Sequence, residues 1–481
     1  MNWLFALLAG FGVLASGDCC LRLARIRPAN GHLRAGLALA AGLALLLISL
    51  YAPFALTGRV HFWPATAVLA LGLCAGLIVW TRTPRGAIAL RPWLAWAAVA
   101  LLLGLLGSRG AFASYDERAI YGIKAKALLC ERDVHGAVFQ DVYSVNFHRD
   151  YPLGLPLVMA WAGELSGGVP RDASGARGAP AAQWVQRYGI IESYATFAAL
   201  WPLGILLLAW GGMRDLGLRT RARLWLVPVS LPLALVVPQI GGPSWSWSGA
   251  DLPLALFVGA AAVLFREATR ESTGRAASAP AAAAGVLIAT GLLLKQDALL
   301  SIVAFAAALA MLRARLGAWL ALGLGATAAW ASVAWAGRAI PEPLLSDRYF
   351  ESLTVDALGT YVARVPLLAE RAVAVLASQR MIAFWAGALF IGVVYGWRRG
   401  GVERALALWV AVHVALTLGV FLVTPHNLDW HISTALTRVM SHSGVPAGAL
   451  LVAALAQFAR RRLALVRAPA PESSLANAGG Q

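Results

Sequence analysis

Residues 35–56 read AGLALAAGLALLLISLYAPFAL, 22 residues without a charge, closed by Arg34 before them and Arg59 shortly after. An α-helix rises about 1.5 Å per residue, so a run of this length matches the roughly 30 Å hydrocarbon core of a bilayer. Such runs recur along the chain. They predict spans near 2–17, 35–56, 62–80, 93–107, 192–211, 223–240, 249–266, 281–294, 297–313, 315–337, 379–396, 403–424 and 445–459. The expected fold is therefore all-α and polytopic, with about 13 transmembrane helices in one domain over residues 1–467. Composition agrees: of 481 residues 59% are hydrophobic and 13% charged, with mean hydropathy +0.69. A soluble protein of this length needs far more charge to cover its surface. The first run lacks a basic start and precedes Arg22, Arg25 and Arg27, so it reads as a retained span and not as a cleaved signal.

The net charge of +17 is unevenly distributed. Alternating the loops between two sides places 23 of the 40 Lys and Arg, and 6 of the 23 Asp and Glu, on one side. The other side carries 17 of each sign, so one face nets +17 and the other zero. Cytoplasmic loops are the ones enriched in Lys and Arg, which predicts an inner-membrane protein with its N-terminus outside and C-terminus inside. Short clusters such as Arg398-Arg399 and Arg460-Arg461-Arg462 border spans, where they orient helices and meet anionic headgroups. Nucleic-acid binding is not expected. Four cysteines, Cys19, Cys20, Cys74 and Cys130, make no metal-ligand spacing and predict no disulfide framework.

Three outer loops carry the polar chemistry. The first, 108–191, is far longer than a hairpin needs and contains a Gly/Ala/Ser-rich piece at 167–182. The second, 338–378, reads as one or two interfacial helices. The third is 425–444. The tail 468–481 is Ala/Pro/Ser-rich and reads as disordered.

Four groups stand out. Ser114-Tyr115-Asp116-Glu117-Arg118-Ala119-Ile120-Tyr121-Gly122-Ile123-Lys124-Ala125-Lys126 puts a carboxylate pair at the membrane boundary. Burial there raises a carboxylate pKa toward that of a general base, although acidic residues also favour any helix start. As an α-helix, Ile120, Ile123 and Ala127 form an apolar stripe while Glu117 and Lys124 share a face. Phe147-His148-Arg149-Asp150-Tyr151-Pro152-Leu153-Gly154-Leu155-Pro156 brackets a rigid turn between two prolines. Asp251 stands at the outer end of the seventh span, after Trp245 and Trp247, and Lys295-Gln296-Asp297 joins the eighth and ninth spans almost without a loop. Charges so placed are costly unless paired or functional. Finally, Thr424-Pro425-His426-Asn427-Leu428-Asp429-Trp430-His431-Ile432-Ser433-Thr434-Ala435-Leu436-Thr437-Arg438 predicts a helix from Leu428 with Leu428, His431, Ala435 and Arg438 on one face. His426, His431 and His442 lack the tight pattern of a dedicated transition-metal site. Mid-span, His413 reads as a packed core histidine or a transport relay.

Taken together these groups resemble the GT-C superfamily of membrane glycosyltransferases, in the branch with protein mannosyltransferases, aminoarabinose transferases and bacterial RgtA/B/C/D-like proteins. The match lies in the acidic pair Asp116-Glu117 after an early span, the Pro-containing turn at His148-Arg149-Asp150-Tyr151-Pro152, Asp251-Leu252-Pro253-Leu254-Ala255, and Leu428-Asp429-Trp430-His431 leading to Arg438. Relatives carry Lys-x-Glu or Lys-Asn-Glu where this chain has Lys295-Gln296-Asp297. The resemblance implies inverting transfer of a sugar from a polyprenyl-phosphate carrier to an acceptor at the outer face. Asp116 would be the base, with Glu117 beside it. Lys124, Lys295 and Arg438 would hold the lipid phosphate, with His148, Asp297, Asp429 and His431 around the substrate. Asp150 or Asp251 would orient the acceptor or hold a divalent cation, Mg2+ or Mn2+; family members differ in metal use, so a cofactor stays open. Lipid, glycan and protein acceptors all stay open. Rival readings are a surface-polysaccharide ligase or polymerase, and a polytopic transporter.

Overall fold

The computed structural model describes residues 2–82, 99, 117–140, 151–165, 194, 197–216, 250–270, 278–340, 356–378 and 381–467. Over them the chain is helical. The elements are α1 (Asn2–Leu23), α2 (Gly31–Thr57), α3 (Trp63–Arg82), a π-helical turn at Glu117–Gly122 running into α4 (Ile123–Glu131), α5 (Gly154–Leu165) and α6 (Leu200–Asp215). Then follow α7 (Asp251–Arg270), α8 (Ser278–Thr290), α9 (Ala298–Met311), α10 (Leu316–Arg338), α11 (Leu358–Ser378), α12 (Ile382–Arg399), α13 (Gly401–Leu422), α14 (Leu428–Ser441) and α15 (Gly444–Arg467). The β-type pairing among the described residues is a single antiparallel bridge, Arg59 with Asp133.

Four described helices, α2, α7, α10 and α13, are long and apolar enough to cross a membrane, and the number rises to six if each of the bent pairs α11–α12 and α14–α15 is counted as one span. This is a helical membrane protein. Two of the expected spans are shorter than a crossing requires: α8 has 13 residues and α9 has 14, because the chain breaks around Lys295-Gln296-Asp297. The interfacial segment expected at 338–378 contains one described helix, α11, whose exposed apolar residues Leu358, Val362, Val365 and Val373 form a stripe. It meets α12 at 118°, so it runs across the direction of the helix that follows it.

Helix packing rests on small residues. Gly17 of α1 faces the backbone of Ala38 in α2, and Gly42 of α2 faces the carbonyl of Val13, so the two antiparallel helices approach until no Cβ fits at either position. Without a hydrophobic drive between helices in lipid, this close van der Waals contact is what joins them. Asn30 caps α2 by accepting from the backbone N–H groups of His32 and Leu33, and its side-chain amide donates to the carbonyl of Gly211 at 2.9 Å.

Polar contacts between elements fall into two sets, one at each end of the helices. At one end Asp18 of α1 pairs with Arg34 of α2 at 2.6 Å, Asp215 with Arg266, and Arg460 donates to the carbonyl of Leu216. At the other end Arg59 meets Asp133, Arg132 pairs with Glu164 at 2.6 Å, Gln140 donates to the carbonyl of Ala339, and Arg364 donates to the carbonyls of Leu422 and Thr424. The alternation of loops expected from the sequence divides these residues in the same way.

Candidate functional site

The break between α8 and α9 positions the central residue. After α8 the chain tightens into a 3₁₀ turn at Gly291–Leu293, and Lys295 then stands outside both helices. Its ammonium lies 2.7 Å from Asp251 Oδ1, at the first residue of α7, and 2.8 Å from Asp297 Oδ2, at the N-cap position of α9. Asp251 Oδ1 also accepts from His442 Nε2 at 2.8 Å. His442 caps the C-terminus of α14, at the break where the chain bends by 63° into α15. A carboxylate only accepts, so the Asp251 contact fixes the His442 proton on Nε2.

Arg438, one turn before His442 on α14, acts electrostatically on both Asp251 and Lys295, and the phenol of Tyr121 acts on Lys295. Burial alone would lower the pKa of the Lys295 ammonium, but Asp251 and Asp297 outweigh it and hold the group above its ordinary value. Burial likewise pushes the Asp297 carboxyl up, and Lys295 and His442 overcome this to hold it below its usual range. Both groups are therefore charged at neutral pH.

Three helices begin here: α7 at Asp251, α9 at Ala298 and α15 at Gly444. Helix N-termini present unpaired N–H groups and a partial positive charge, so they favour anions. With Lys295 and Arg438 added, the site has the make-up of a receptor for an anionic oxygen, with Asp251 and Asp297 balancing its cations while it stands in this form.

The first long loop reaches the same place. Lys124 is fully buried in α4, donates to the carbonyl of Tyr151 at 3.2 Å and lies 5.8 Å from the centre of the Tyr151 ring. Three residues on, Gly154 opens α5 against the carbonyl of Leu293, so closely that a Cβ there would collide with it. The Pro-bracketed turn thus braces the 3₁₀ turn that leads into Lys295. The ammonium of Lys124 is engaged inside the loop, two links away from Lys295. The π-helical turn Glu117–Gly122 also breaks the 3.6-residue period that would put Glu117 and Lys124 on one face.

Of the residues singled out by sequence, Asp251, Lys295, Asp297 and Arg438 come together, with Tyr121 near them. Asp116, His148 and Asp150 lie outside the described residues, as do Trp245, Trp247 and the tail 468–481. Glu117 lies on the π-helical turn that carries Tyr121. Asp429 and His431 belong elsewhere: Asp429 is exposed and pairs with Arg371 at 2.8 Å, while His431 Nδ1 meets Thr424 Oγ1 at 2.7 Å among Phe421, His426 and Trp430. His413 is packed, its ring nitrogens 3.4 Å from Ser301 Oγ and 3.3 Å from the carbonyl of Val439. Sequence reasoning set His442 aside as a weak metal candidate; its partner lies 191 residues away, and no local pattern marks it. Among the described residues no group of three His, Cys, Asp or Glu could hold a metal ion, and the four cysteines are free. No family model, curated protein or solved structure matches this chain.

Proposed function

We propose that the chain is a membrane glycosyltransferase that moves a sugar from a polyprenyl-phosphate donor to an acceptor at the outer face of the bacterial inner membrane. The observation that carries the reading is the gathering of Lys295 and Arg438 with two carboxylates where three helices begin, at the end of the bundle that also holds the long first loop. A departing lipid phosphate needs cations that do not leave with it, and fixed charges in a partly dry site stabilise the developing negative charge without reorganising. Counted along the sequence, the loops on the side opposite Lys295 carry the excess of Lys and Arg, and under the positive-inside rule this supports an outward-facing Lys295 end and an outer N-terminus.

In this reading Lys295 and Arg438 hold the phosphate, Asp251 and His442 fix Lys295, and Asp116, just before the Tyr121 turn, takes the proton of the acceptor hydroxyl. That hydroxyl attacks the anomeric carbon with inversion, the bond from that carbon to the phosphate oxygen breaks, and its electron pair leaves with the phosphate. Any divalent cation would lie among the acidic residues of the first loop and Asp251, where it would screen the phosphate charge. The test is Asp116→Asn in membranes supplied with radiolabelled polyprenyl-phosphate sugar. Transfer to lipid, glycan or protein should be abolished while the amount of inserted protein is unchanged. Undiminished transfer by the variant would refute the mechanism.

A further inference from the structure

A second group of polar and aromatic side chains stands at the Lys295 end of the bundle, where α13 turns into α14. Four rings pack there. The centroids of Phe421 and His431 are 4.7 Å apart, those of His426 and His431 5.4 Å, and those of His426 and Trp430 5.5 Å, while Trp430 lies roughly parallel to His431 at 6.2 Å. Trp430 is held by both histidines, yet it is 57% exposed. Beside it Asp429 pairs with Arg371 of α11 at 2.8 Å, and both of these side chains are about half exposed. We propose that this face of α14 is a saccharide platform, on which Trp430 stacks against a pyranose of the acceptor glycan while Asp429 and Arg371 hydrogen-bond its hydroxyls. The inference rests on the glycosyltransferase reading above and deepens it by naming a glycan chain as the acceptor.

Chemical fit is the first argument. The C–H groups on one side of a pyranose carry partial positive charge, and an indole presents a wide apolar face of partial negative charge. The hydroxyls around the sugar rim need acceptors and donors together. A carboxylate accepts and a guanidinium donates, and Asp429 with Arg371 supplies one of each beside the indole. A tryptophan that serves only as an interfacial anchor faces headgroup phosphates, which a half-exposed carboxylate next to it would repel. Against a neutral sugar the same carboxylate is a hydrogen-bond acceptor.

Rigidity and position supply the second. Asn427 accepts from the backbone N–H of Trp430 at 3.1 Å, Arg364 of α11 donates to the carbonyls of Leu422 and Thr424, and His431 Nδ1 lies 2.7 Å from Thr424 Oγ1. The turn is thus fixed from several sides, and a ring already in place loses little freedom when a ligand seats on it. Trp430 and Arg438 stand eight residues apart on α14, a spacing that keeps them on one broad side of a helix. Along the axis they are about 12 Å apart. A single sugar on a donor phosphate at Arg438 does not reach that far. The platform therefore takes the acceptor, and the acceptor is a chain of more than one sugar whose end extends to the charged cluster.

The full chain in nanodiscs is tested by saturation-transfer NMR with soluble trisaccharides of glucose, mannose, galactose, rhamnose and N-acetylglucosamine, each beside its monosaccharide. At least one trisaccharide should bind, more tightly than its monosaccharide, with saturation concentrated on the C–H protons of one face of one ring. Trp430→Ala should weaken that binding about tenfold, and Trp430→Tyr, which restores an aromatic face, should recover most of it. Arg371→Gln and Asp429→Asn should each weaken it as well. Binding of no trisaccharide by the wild type, or undiminished binding by Trp430→Ala, overturns the proposal. A transfer assay with a radiolabelled polyprenyl-phosphate sugar separates this failure from that of the reading beneath it. Transfer to some acceptor without trisaccharide binding overturns the platform and leaves the glycosyltransferase reading standing. Trisaccharide binding without transfer to the bound chain overturns the acceptor role and leaves a saccharide site.

Discussion

Replacing Lys295 by Met removes one ammonium and leaves two carboxylates facing each other. Lys295 touches Asp251 at 2.7 Å and Asp297 at 2.8 Å, with side-chain exposures of 12%, 14% and 31%. At an effective dielectric constant near 20, each contact carries about 6 kcal/mol of Coulomb attraction. Desolvation costs several kcal/mol per ion, and the measured loss on removing one partner of a buried pair is about 3–5 kcal/mol. Lys295→Met should therefore destabilise the fold by about that much, as read from SDS-driven unfolding in mixed micelles followed by tryptophan fluorescence. Much of the loss is the burial of uncompensated carboxylate, so Asp251→Asn in the same background should recover about half or more of it. Asp251→Asn alone should cost less than Lys295→Met, because Asp297 still satisfies the ammonium. Simple addition of the two single effects in the double variant would refute the ion-pair account.

Other predictions address different links. Gly42→Ala places a Cβ against the carbonyl of Val13 and should separate α1 from α2 at a cost of about 1–3 kcal/mol in the same unfolding assay. Asp429→Ala breaks an exposed pair with Arg371 and should change stability by less than about 1 kcal/mol. The pH dependence of the site follows from its two shifts. Asp297 is held below its ordinary value, so its stabilisation is present above about pH 4 and is lost as pH falls through its lower folded value. Lys295 is held above its ordinary value, so its stabilisation is complete below about pH 10. Thermal stability of the cluster should be flat from pH 5 to 9 and fall only in acid; a steep loss between pH 6 and 8 in His442→Gln would contradict this. Finally, single cysteines replacing Thr57 and Ala339 should react with an impermeant maleimide from one side of sealed cells, and cysteines replacing Asn30 and Leu216 from the other.

The fold was legible where hydropathy alone decides it. The run at 35–56 is the middle of α2, and the expected spans near 249–266, 315–337 and 403–424 coincide with α7, α10 and α13, since uninterrupted apolar residues leave helix as the way to satisfy the backbone in lipid. Boundaries near Lys295 were less legible: apolar periodicity runs nearly unbroken from α8 to α9, and the 3₁₀ turn that separates them answers to Gly154 packing from another part of the chain. The helix from Leu428 appeared as expected, yet its polar residues divide between the site and the surface, with Arg438 in the cluster and Asp429 outside it. Charges at helix ends could be picked out because a charge there is costly unless paired. His442 could not, because its significance comes from Asp251 alone. Lys124, a phosphate-ligand candidate through the family resemblance, is buried and donates to the carbonyl of Tyr151, a contact across 27 residues that spacing does not encode.

The central claim is that a polyprenyl phosphate docks where Lys295 and Arg438 converge at the outer end of the bundle. A photoreactive polyprenyl-phosphate sugar, with a diazirine on the isoprenoid unit next to the phosphate, tests it in native membranes. Mass spectrometry of the labelled protein should find adducts within residues 117–125, 250–254, 294–299 and 438–446, removed by excess unlabelled polyprenyl phosphate and lost in Arg438→Gln. Labelling confined to the opposite end of the helices, or adducts that excess polyprenyl phosphate does not displace, would contradict it.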